Sequence, residues 1–384
     1  MPSPDPDTLL VDVGTTRVKA AVVRRDTLLT LPAHRTDHHF DVQRSGLRTT
    51  WSVDSVRRGL DEVVERSTAR HGPSPELRLS AHMRGFAIDT PATGYLTWQD
   101  RRCLETGGDG RTAYQRLAAG LPREAFARTG TRLRPDSPLA NAYQVALTAD
   151  RPLRGRFHTL GSLILEHLTG EHVTHVTLAA ATGLYDLVRD EWSPELLHFT
   201  GLDGLTFPQV THDLLPVGVA ARTGMRVHPE LGDNQAAVHG AGADDGSTVV
   251  VSVGTAGLVS RVSAAPAPAP GVEVRPYLGA SYLHVVSGLP GGSATGPDRA
   301  DEAAARPFAD AVDLLDPAHD ARRIVATGGA VDATPGFAAA LGRLTGLPTT
   351  VDPTHDHSLL GLARLARPAT FRPPGTGSRA LVHG

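Results

Sequence analysis

Two strand–turn–strand segments, separated by about 240 residues, constrain the fold of this chain most strongly. The first is LLVDVGTTRVKAAVV at residues 9–23, and the second begins TVVVSVGTAGLV at residues 248–259. Each is an apolar run that ends in Val-Gly-Thr and is followed by a second apolar run, the pattern of two buried strands joined by a tight turn. The repetition predicts two similarly built halves.

The first turn carries side chains suited to binding an anion. Gly14, Thr15 and Thr16 offer backbone N–H groups and hydroxyls, and a glycine at a hairpin tip is expected to supply a positive φ. Asp12 cannot bind a phosphate directly, because both are negative, but it fits if Mg²⁺ lies between them. Lys19, the only lysine of the 384 residues, would be a point charge near the phosphates. The alternative is an ordinary β-turn.

Three further features favour a nucleotide site. The second turn, Gly254-Thr255, would let the two halves hold a polyphosphate from two sides. Gly328-Gly329 follows a predicted strand and precedes a helix, so a flat ring could lie against bare backbone. Asp233 begins the alanine-rich segment DNQAAVHGAG, where it is either a helix N-cap, the commoner case, or a general base for a substrate hydroxyl.

Other classes of function are excluded or disfavoured. A net charge of -3 gives no footprint for nucleic acid or an anionic membrane. The chain has no GxxxxGK[ST] or GxSxG motif, and GAGADDG follows a helix, unlike a dinucleotide fingerprint. THDHS at residues 354–358 is interpreted as a solvated helix start and Cys103 as a bystander. No segment resembles a signal peptide or a membrane span, which favours a cytoplasmic location.

Periodicity predicts an α/β protein with strands and helices in both halves. The predicted strands are 9–13, 18–24, 77–81, 248–253, 257–262, 282–286 and 323–327. The predicted helices are 53–70, 111–119, 139–149, 159–169, 233–242, 300–315, 334–345 and 356–366. The Pro/Ala segment at residues 264–271 is predicted to be an exposed loop between two strands.

With these features in this order, the chain resembles the FGGY family of carbohydrate kinases, within the sugar kinase/Hsp70/actin superfamily. LLVDVGTTRVKAAVV is similar to the family's first phosphate motif, VVVSVGTAGLVS to its second, TGGA to its adenosine motif and GDNQAAVHGAG to its catalytic segment. AHMRGFAIDTPATGYLTWQDRR resembles its sugar-contact region. The resemblance implies two ribonuclease H-like (actin-like ATPase) domains with a cleft between them: a sugar-binding domain at 1–243 and a shortened nucleotide-binding domain at 244–384.

The resemblance also implies roles for individual residues. Asp233 would be the catalytic base, and Asp12 and Asp233 would organise Mg²⁺. The ATP contacts would come from Gly14, Thr15, Thr16, Lys19, Gly254, Thr255, Gly328, Gly329 and Ala330. The substrate contacts would come from His82, Met83, Arg84, Trp98, Asp100, Asp233 and Asn234.

The sequence departs from the family mainly in its second half. Only 72 residues separate Thr255 from Gly328, fewer than the family has. Thr327 replaces the first glycine of the adenosine motif, and Asn141 stands where the family often has lysine. The leading hypothesis is an ATP-dependent kinase for a small-molecule sugar, ketose, polyol or cyclitol, with no nucleic-acid or membrane partner and compatible with a homodimer. The alternative is a catalytically impaired homologue that binds a sugar or a nucleotide.

Overall fold

The computed structural model describes residues 7–15, 17–24, 27–30, 40–89, 94–254, 256–291, 301–332, 334, 336–352 and 356–366. Within it the chain forms two compact units, residues 1–233 and 234–384. The expected boundary at residues 243/244 stays a prediction.

The first unit mixes strands and helices. Its strands are β1 (Thr8–Val13), β2 (Val18–Arg24), β3 (Thr27–Thr30), β4 (Val42–Ser45), β5 (Arg48–Trp51), β6 (Glu76–Ala81), β7 (Gly85–Ile88), β8 (Tyr95–Thr97), β9 (Gly155–His158), β10 (Val173–His175), β11 (Tyr185–Asp186), β12 (Glu191–Trp192), β13 (Leu205–Thr206), β14 (Gln209–Thr211), β15 (Gly218–Val219), β16 (Arg226–Val227) and β17 (Leu231–Gly232). Its helices are α1 (Val53–His71), α2 (Ala113–Gly120), α3 (Arg123–Ala127), α4 (Pro138–Leu147), α5 (Leu160–Thr169), α6 (Val176–Ala181) and α7 (Pro194–Thr200), with a 3₁₀ turn at Arg102–Leu104.

Helix α8 (Asp233–Gly240) begins at the last residue of the first unit. The strands of the second unit are β18 (Thr248–Val253), β19 (Gly257–Ser263), β20 (Glu273–Pro276), β21 (Tyr282–Leu289), β22 (Arg323–Thr327) and β23 (Thr349–Val351). Its other helices are α9 (Asp301–Leu315), α10 (Gly329–Asp332), α11 (Phe337–Thr345) and α12 (His357–Ala366). The exposed loop predicted at residues 264–271 lies between β19 and β20, as expected.

The main sheet of each unit has the same strand plan. In the first unit the order is β15-β16-β6-β1-β2-β3, with β17 also pairing with β6. β1 is antiparallel to β2 and parallel to β6. In the second unit the order is β20-β21-β19-β18-β22-β23, where β18 is antiparallel to β19 and parallel to β22. The shared plan confirms the prediction of two similarly built halves.

The central strands are apolar because both faces of each sheet are covered. All six residues of β1 are buried, and Leu9, Val11 and Val13 belong to the core of the first unit. Helix α1 starts after Ser52, whose hydroxyl accepts from the Ser55 N–H, and it buries Val56 in the same core. In the second unit β18 packs against α9 around Phe308.

Besides its main sheet, the first unit contains a six-stranded sheet that the sequence analysis did not predict. Its order is β13-β9-β7-β8-β5-β4. β4 and β5 form a hairpin, and three of the four residues of β4 are exposed. Such short, largely polar strands give no period-two hydrophobic signal.

Candidate active site

Three parallel strands of the first unit end at the same edge of its main sheet. Val13 at the end of β1 pairs with Ala81 at the end of β6, and Ala81 also pairs with Gly232 at the end of β17. The residues that follow are the Gly14 turn, His82 and Asp233. The backbone N–H of His82 donates to the Val13 carbonyl over 3.0 Å. Ligands of α/β proteins bind beyond the carboxyl ends of such strands, so this edge is the candidate active site.

Asp12 lies one residue before this edge. It is 5% exposed, and its Oδ1 accepts a hydrogen bond of 2.7 Å from the Ser80 hydroxyl on β6. Its Oδ2 lies 3.9 Å from Nζ of Lys19, which is directly opposite on β2. The fold therefore holds a buried carboxylate in a defined orientation, with the sole lysine as a neighbouring cation.

The predicted phosphate turn differs from expectation in its backbone. The Gly14 N–H donates to the Arg17 carbonyl over 3.1 Å, which closes the turn. Gly14 does not have a positive φ, so the prediction that it supplies one is wrong. A side chain at this position would meet only that carbonyl, at 3.5 Å, and the turn therefore leaves open space beside Gly14. Thr15 is described and half-buried, whereas Thr16 lies outside the described residues.

Asp233 begins α8, and one of its carboxylate oxygens lies 3.4 Å from Nδ1 of His82. The Asp233 side chain is 33% exposed and that of His82 is 13% exposed. The other ring nitrogen of His82, Nε2, is buried with no hydrogen-bond partner among the described residues. The structure therefore brings the predicted base, Asp233, close to His82, one of the predicted substrate contacts.

The remaining residues of HMRG are buried or partly buried. Met83 is 4% exposed and lies in the hydrophobic core, so its side chain does not face solvent. Nη1 of Arg84 donates to Oδ2 of Asp136 over 3.2 Å. Gly85 is required by a close approach, because a Cβ there would lie 2.3 Å from the Tyr95 hydroxyl oxygen.

Asp100 is fully buried, and its two oxygens accept four hydrogen bonds, one from the Thr49 N–H and three from Arg102. These bonds use the acceptor capacity of a carboxylate and hold the loop after β8 against β5. The geometry gives Asp100 a structural role, and its substrate contact stays a prediction. Trp98, two residues earlier, is half-buried.

Asn141 and Cys103 are also structural. The Asn141 amide donates to the carbonyls of Asp100, Pro135 and Ser137, and its oxygen accepts from the Cys103 N–H. Burial raises the pKa of the Cys103 thiol to about 12, so it stays protonated. The interpretation of Cys103 as a bystander agrees with this geometry.

A cavity of about 560 Å³ opens in the first unit between the phosphate turn and the sugar-contact segment. Thr15 and Gln99 line it, together with Phe40 and Trp51, whose rings stack with centroids 4.4 Å apart. The Tyr95 ring also stacks on Trp51, with centroids 5.4 Å apart. Burial, and then the negative charge of Asp233, raise the pKa of Tyr95, so its hydroxyl stays protonated beside the candidate base.

The second unit presents the equivalent edge of its own sheet. Gly254 follows β18, and its N–H donates to the Ala256 carbonyl over 3.3 Å; Thr255 lies outside the described residues. Gly328 follows β22 with φ +101, and a Cβ there would lie 2.4 Å from the Val253 carbonyl oxygen. Gly329 and Ala330 begin α10, and a Cβ on Gly329 would meet no described residue within 4 Å. The structure thus brings Gly254 and the Gly328 turn together.

Asn234, the predicted neighbour of the base, is 8% exposed. Its side-chain amide donates to the Ser260 hydroxyl on β19 over 3.2 Å. This hydrogen bond lies inside the second unit.

A comparison with known protein families identifies the family of this chain. The sequence matches the model of the FGGY family of carbohydrate kinases, N-terminal domain, over residues 8–250. The chain belongs to the FGGY family of carbohydrate kinases. Its predicted membership is confirmed, as is the fold class of two actin-like units.

Curated relatives of this FGGY chain match it only in part. It is 37% identical to L-fuculokinase of Salmonella typhi over 102 residues, which is 24% of this chain and 22% of that protein. It is 27% identical to glycerol kinase of Gloeobacter violaceus over 266 residues, 64% of this chain and 51% of that protein. The chain thus spans about half, or less, of the length of these relatives.

A solved structure shares the fold over a larger part of this FGGY chain. Gluconate kinase from Lactobacillus acidophilus superposes with a TM-score of 0.79 at 15% identity, covering 94% of this chain and 89% of that one. At this identity the likeness concerns the fold alone. Among the described helices, none is both long and apolar enough to cross a lipid bilayer.

Two features of the FGGY site were missed by sequence reasoning. Asp136 is 5% exposed and accepts from Arg84 and from Arg134, and its arginine partners hold its pKa below the usual range in spite of burial. Phe40 lies two residues before β4 and Trp51 ends β5, so both are at the open end of the β4–β5 hairpin, where the first residue of β4 pairs with Trp51. A lone Asp in a loop and two aromatics in weakly patterned strands carry no local signal, so only the fold reveals them.

Proposed function

We propose that the protein transfers the terminal phosphoryl group of ATP to a hydroxyl of a sugar, ketose, polyol or cyclitol, with Asp233 as the general base. The observation that carries the proposal is the shared sheet edge of the first unit. Strands β1, β6 and β17 end side by side at this edge. Asp12 lies near the end of β1, and the residues that follow the three strands are the Gly14 turn, His82 and Asp233.

The proposed base has the position that this chemistry needs. Asp233 is one-third exposed at the start of a helix, so a substrate hydroxyl can reach its carboxylate and give it a proton. His82, held by its backbone bond to Val13, restricts the carboxylate from one side. Because the transition state of phosphoryl transfer is loose, most of the rate gain comes from such positioning.

The residues present fit a magnesium ion and a nucleotide. Asp12 offers carboxylate oxygens, the donors that Mg²⁺ prefers, and Ser80 fixes one of them. Mg²⁺, when bound, would neutralise charge on the phosphates. The N–H groups of Gly14 and Gly254 close their own turns, so the phosphate contacts are assigned to the threonines that follow them, Thr15, Thr16 and Thr255. Gly329, beside which a Cβ would meet none of the described residues within 4 Å, suits the close approach of an adenosine.

The cavity of the first unit supports the proposed substrate class. Its wall combines the Phe40–Trp51 stack with the amide of Gln99 and the hydroxyl of Thr15. Asp41, Gln43 and Arg44 also line the cavity, so the side chains of the wall are mostly polar around one aromatic stack, which suits a small polyhydroxylated molecule. A cytoplasmic location, a homodimer and a shortened nucleotide-binding domain stay predictions.

A substrate panel tests the proposal. The protein would be incubated with Mg-ATP and a set of ketoses, polyols and cyclitols, and phosphorylated products detected by mass. We expect one group of substrates to be turned over, and Asp233→Asn to lower kcat by about 10³-fold, within the range for a lost general base. Asp150→Asn, a substitution at an exposed aspartate, is the matched control and should leave kcat unchanged.

Calorimetry with ATP separates the failures. ATP binding without turnover of any substrate would favour the impaired homologue over the kinase. Turnover that survives Asp233→Asn would contradict the role of this residue while leaving the activity intact.

A further inference from the structure

A cluster of metal-ligating side chains lies in the first unit, away from the candidate active site. One nitrogen each of His158 and His172 and one oxygen of Glu166 all lie within 4.8 Å of one another. His158 ends β9, Glu166 is on α5, and His172 immediately precedes β10. We propose that these three side chains bind a divalent transition-metal ion of the Zn²⁺ class.

The strongest indication is the buried ring of His158, which is 1% exposed. Its Nε2 lies 3.1 Å from Oδ1 of Asp89. A carboxylate only accepts, so Nε2 carries the proton and Nδ1 keeps its lone pair. Nδ1 has no hydrogen-bond partner among the described residues, and it lies 3.5 Å from Oε2 of Glu166.

Two acceptors that face each other in this way need a cation between them. A buried polar atom without a partner costs free energy, and a bound ion is one of its ordinary explanations. Ligands about 2.0–2.1 Å from a tetrahedral zinc ion are themselves about 3.4 Å apart. The 3.5 Å between His158 Nδ1 and Glu166 Oε2 is therefore the spacing of two zinc ligands.

His172 completes the set through the same logic. Its Nε2 lies 3.0 Å from the Phe157 carbonyl oxygen, which can only accept, so the ring proton is on Nε2 and Nδ1 keeps its lone pair. Its ring centroid lies 4.8 Å from that of His158. Histidine ligands usually donate their second N–H to a carboxylate or a backbone carbonyl, as Asp89 and Phe157 are placed to accept.

The charges around the cluster also suit a divalent cation. Arg156 pairs with Oε1 of Glu166, which leaves Oε2 directed at His158. The carboxylates of Asp89 and Glu166 together exceed the single guanidinium by one negative charge. Two histidines and one carboxylate are a frequent zinc ligand set, and the half-exposed side of the cluster leaves the fourth position to water.

Such an ion would connect three consecutive segments of the first unit: the end of β9, helix α5 and the turn before β10. We therefore expect the metal to stabilise this unit. The inference uses none of the residues of the proposed kinase function and does not depend on it.

The test is metal binding by the full-length, tag-free chain after dialysis against a chelator. We expect calorimetry to give one tight Zn²⁺ per chain, Co²⁺ to show the visible absorption of a tetrahedral site, and Zn²⁺ to raise the unfolding temperature. His172→Ala and Glu166→Gln should each raise the Kd for Zn²⁺ by about 100-fold. His167→Ala is the matched control, since His167 is on the same helix but pairs with Asp61, and its Kd should not change.

A further variant tests the site in case the ligand substitutions prevent folding. Asp89 is exposed, so Asp89→Asn should fold normally and still raise the Kd for Zn²⁺ about tenfold by loosening His158. Absence of Zn²⁺ binding to the unmodified chain at submillimolar concentration would overturn the proposal. So would an equal loss of affinity in His167→Ala, since the metal would then be bound by surface histidines in general.

Discussion

The main sheets of the two units share a strand plan but present different chemistry at the same edge. In the first unit, Asp12 on β1 lies opposite Lys19 on β2 and Ser80 on β6. In the second unit, the same place on β18 is taken by Ser252, opposite Leu258 on β19 and Thr327 on β22. A carboxylate and an ammonium in one unit are thus replaced by a hydroxyl and an aliphatic side chain in the other.

The comparison separates what topology sets from what side chains set. Parallel strands that end together create a place for a ligand in both units. The side chains then make the two edges suitable for different ligands. The first edge has carboxylates suited to a metal ion and to proton transfer, and the second has glycines suited to close approach by a nucleotide. The predictions below test this division, beginning with the largest expected effect.

The first prediction compares a substitution of the charged Asp12 with a substitution of Ser252, its uncharged counterpart on β18. Asp12→Asn should lower kcat about 10³-fold, because an amide neutralises the metal and phosphate charges less well than a carboxylate. That loss corresponds to about 4 kcal/mol of barrier. Ser252→Ala, at the equivalent place on β18, should change kcat less than about threefold. The kcat of each variant would be measured by steady-state kinetics at saturating Mg-ATP. Comparable losses of kcat in both variants would contradict the inference that the two edges differ in function.

The second prediction concerns the backbone of the second edge. Gly328→Ala forces a side chain into positive φ and against the Val253 carbonyl, so the free energy of unfolding should fall by about 3 kcal/mol. Gly329→Ala, one residue later with open space around it, should change stability by less than about 0.5 kcal/mol. Urea denaturation measures both. We expect Gly329→Ala instead to raise the KM for ATP, because its methyl group would enter the proposed adenosine surface.

The third prediction concerns β17, the strand that ends immediately before Asp233. Glu230 precedes β17 and is fully buried, which raises its pKa from 4.5 to about 7. Between these values the unfolded chain has released the proton while the folded chain still holds it. Stability is therefore lost as the pH rises from about 4.5 to 7 and stays lower above that range. The equivalent strand β23 is preceded by Pro348, which has no such proton.

Glu230→Gln should remove this pH dependence. The amide keeps an oxygen that can accept from the Thr174 hydroxyl and the His175 N–H but cannot ionise. Relative to the unmodified chain, we expect a gain of roughly 2 kcal/mol at about pH 8 and none at about pH 4. Exposed Glu124→Gln is the control. A stability difference that does not vary with pH would show that Glu230 is not protonated in the folded chain.

The sequence predicted those parts of the fold that carry a strong local pattern. The strands β18 and β22 were predicted with their observed bounds, and α1 to within one residue, because buried strands and a capped amphipathic helix leave clear periodicities. The hairpin of β4 and β5 was missed because its residues are mostly exposed. Its Trp51 nevertheless forms one wall of the cavity.

Individual side-chain roles were harder to predict than strands. Asp100 was expected to contact substrate, yet the fold satisfies all of its acceptor capacity with Thr49 and Arg102, a fact that no spacing along the chain reveals. His158, Glu166 and His172 are on three separate elements, so no motif connects them. Local patterns predict elements, whereas the satisfaction of buried polar groups depends on contacts between elements distant in sequence.

The smallest expected effect concerns Lys19, whose equivalent position in the second unit is occupied by Leu258. If Lys19 acts as a cation near the phosphates, Lys19→Ala should raise the KM for ATP about fivefold, the equivalent of about 1 kcal/mol. Lys19→Arg keeps the charge and should change KM less than about twofold. Leu258→Met, a substitution of similar volume at the equivalent place in the second unit, should have no effect. An unchanged KM in Lys19→Ala would make Lys19 only the partner of Asp12, which the 3.9 Å between Nζ and Oδ2 already allows.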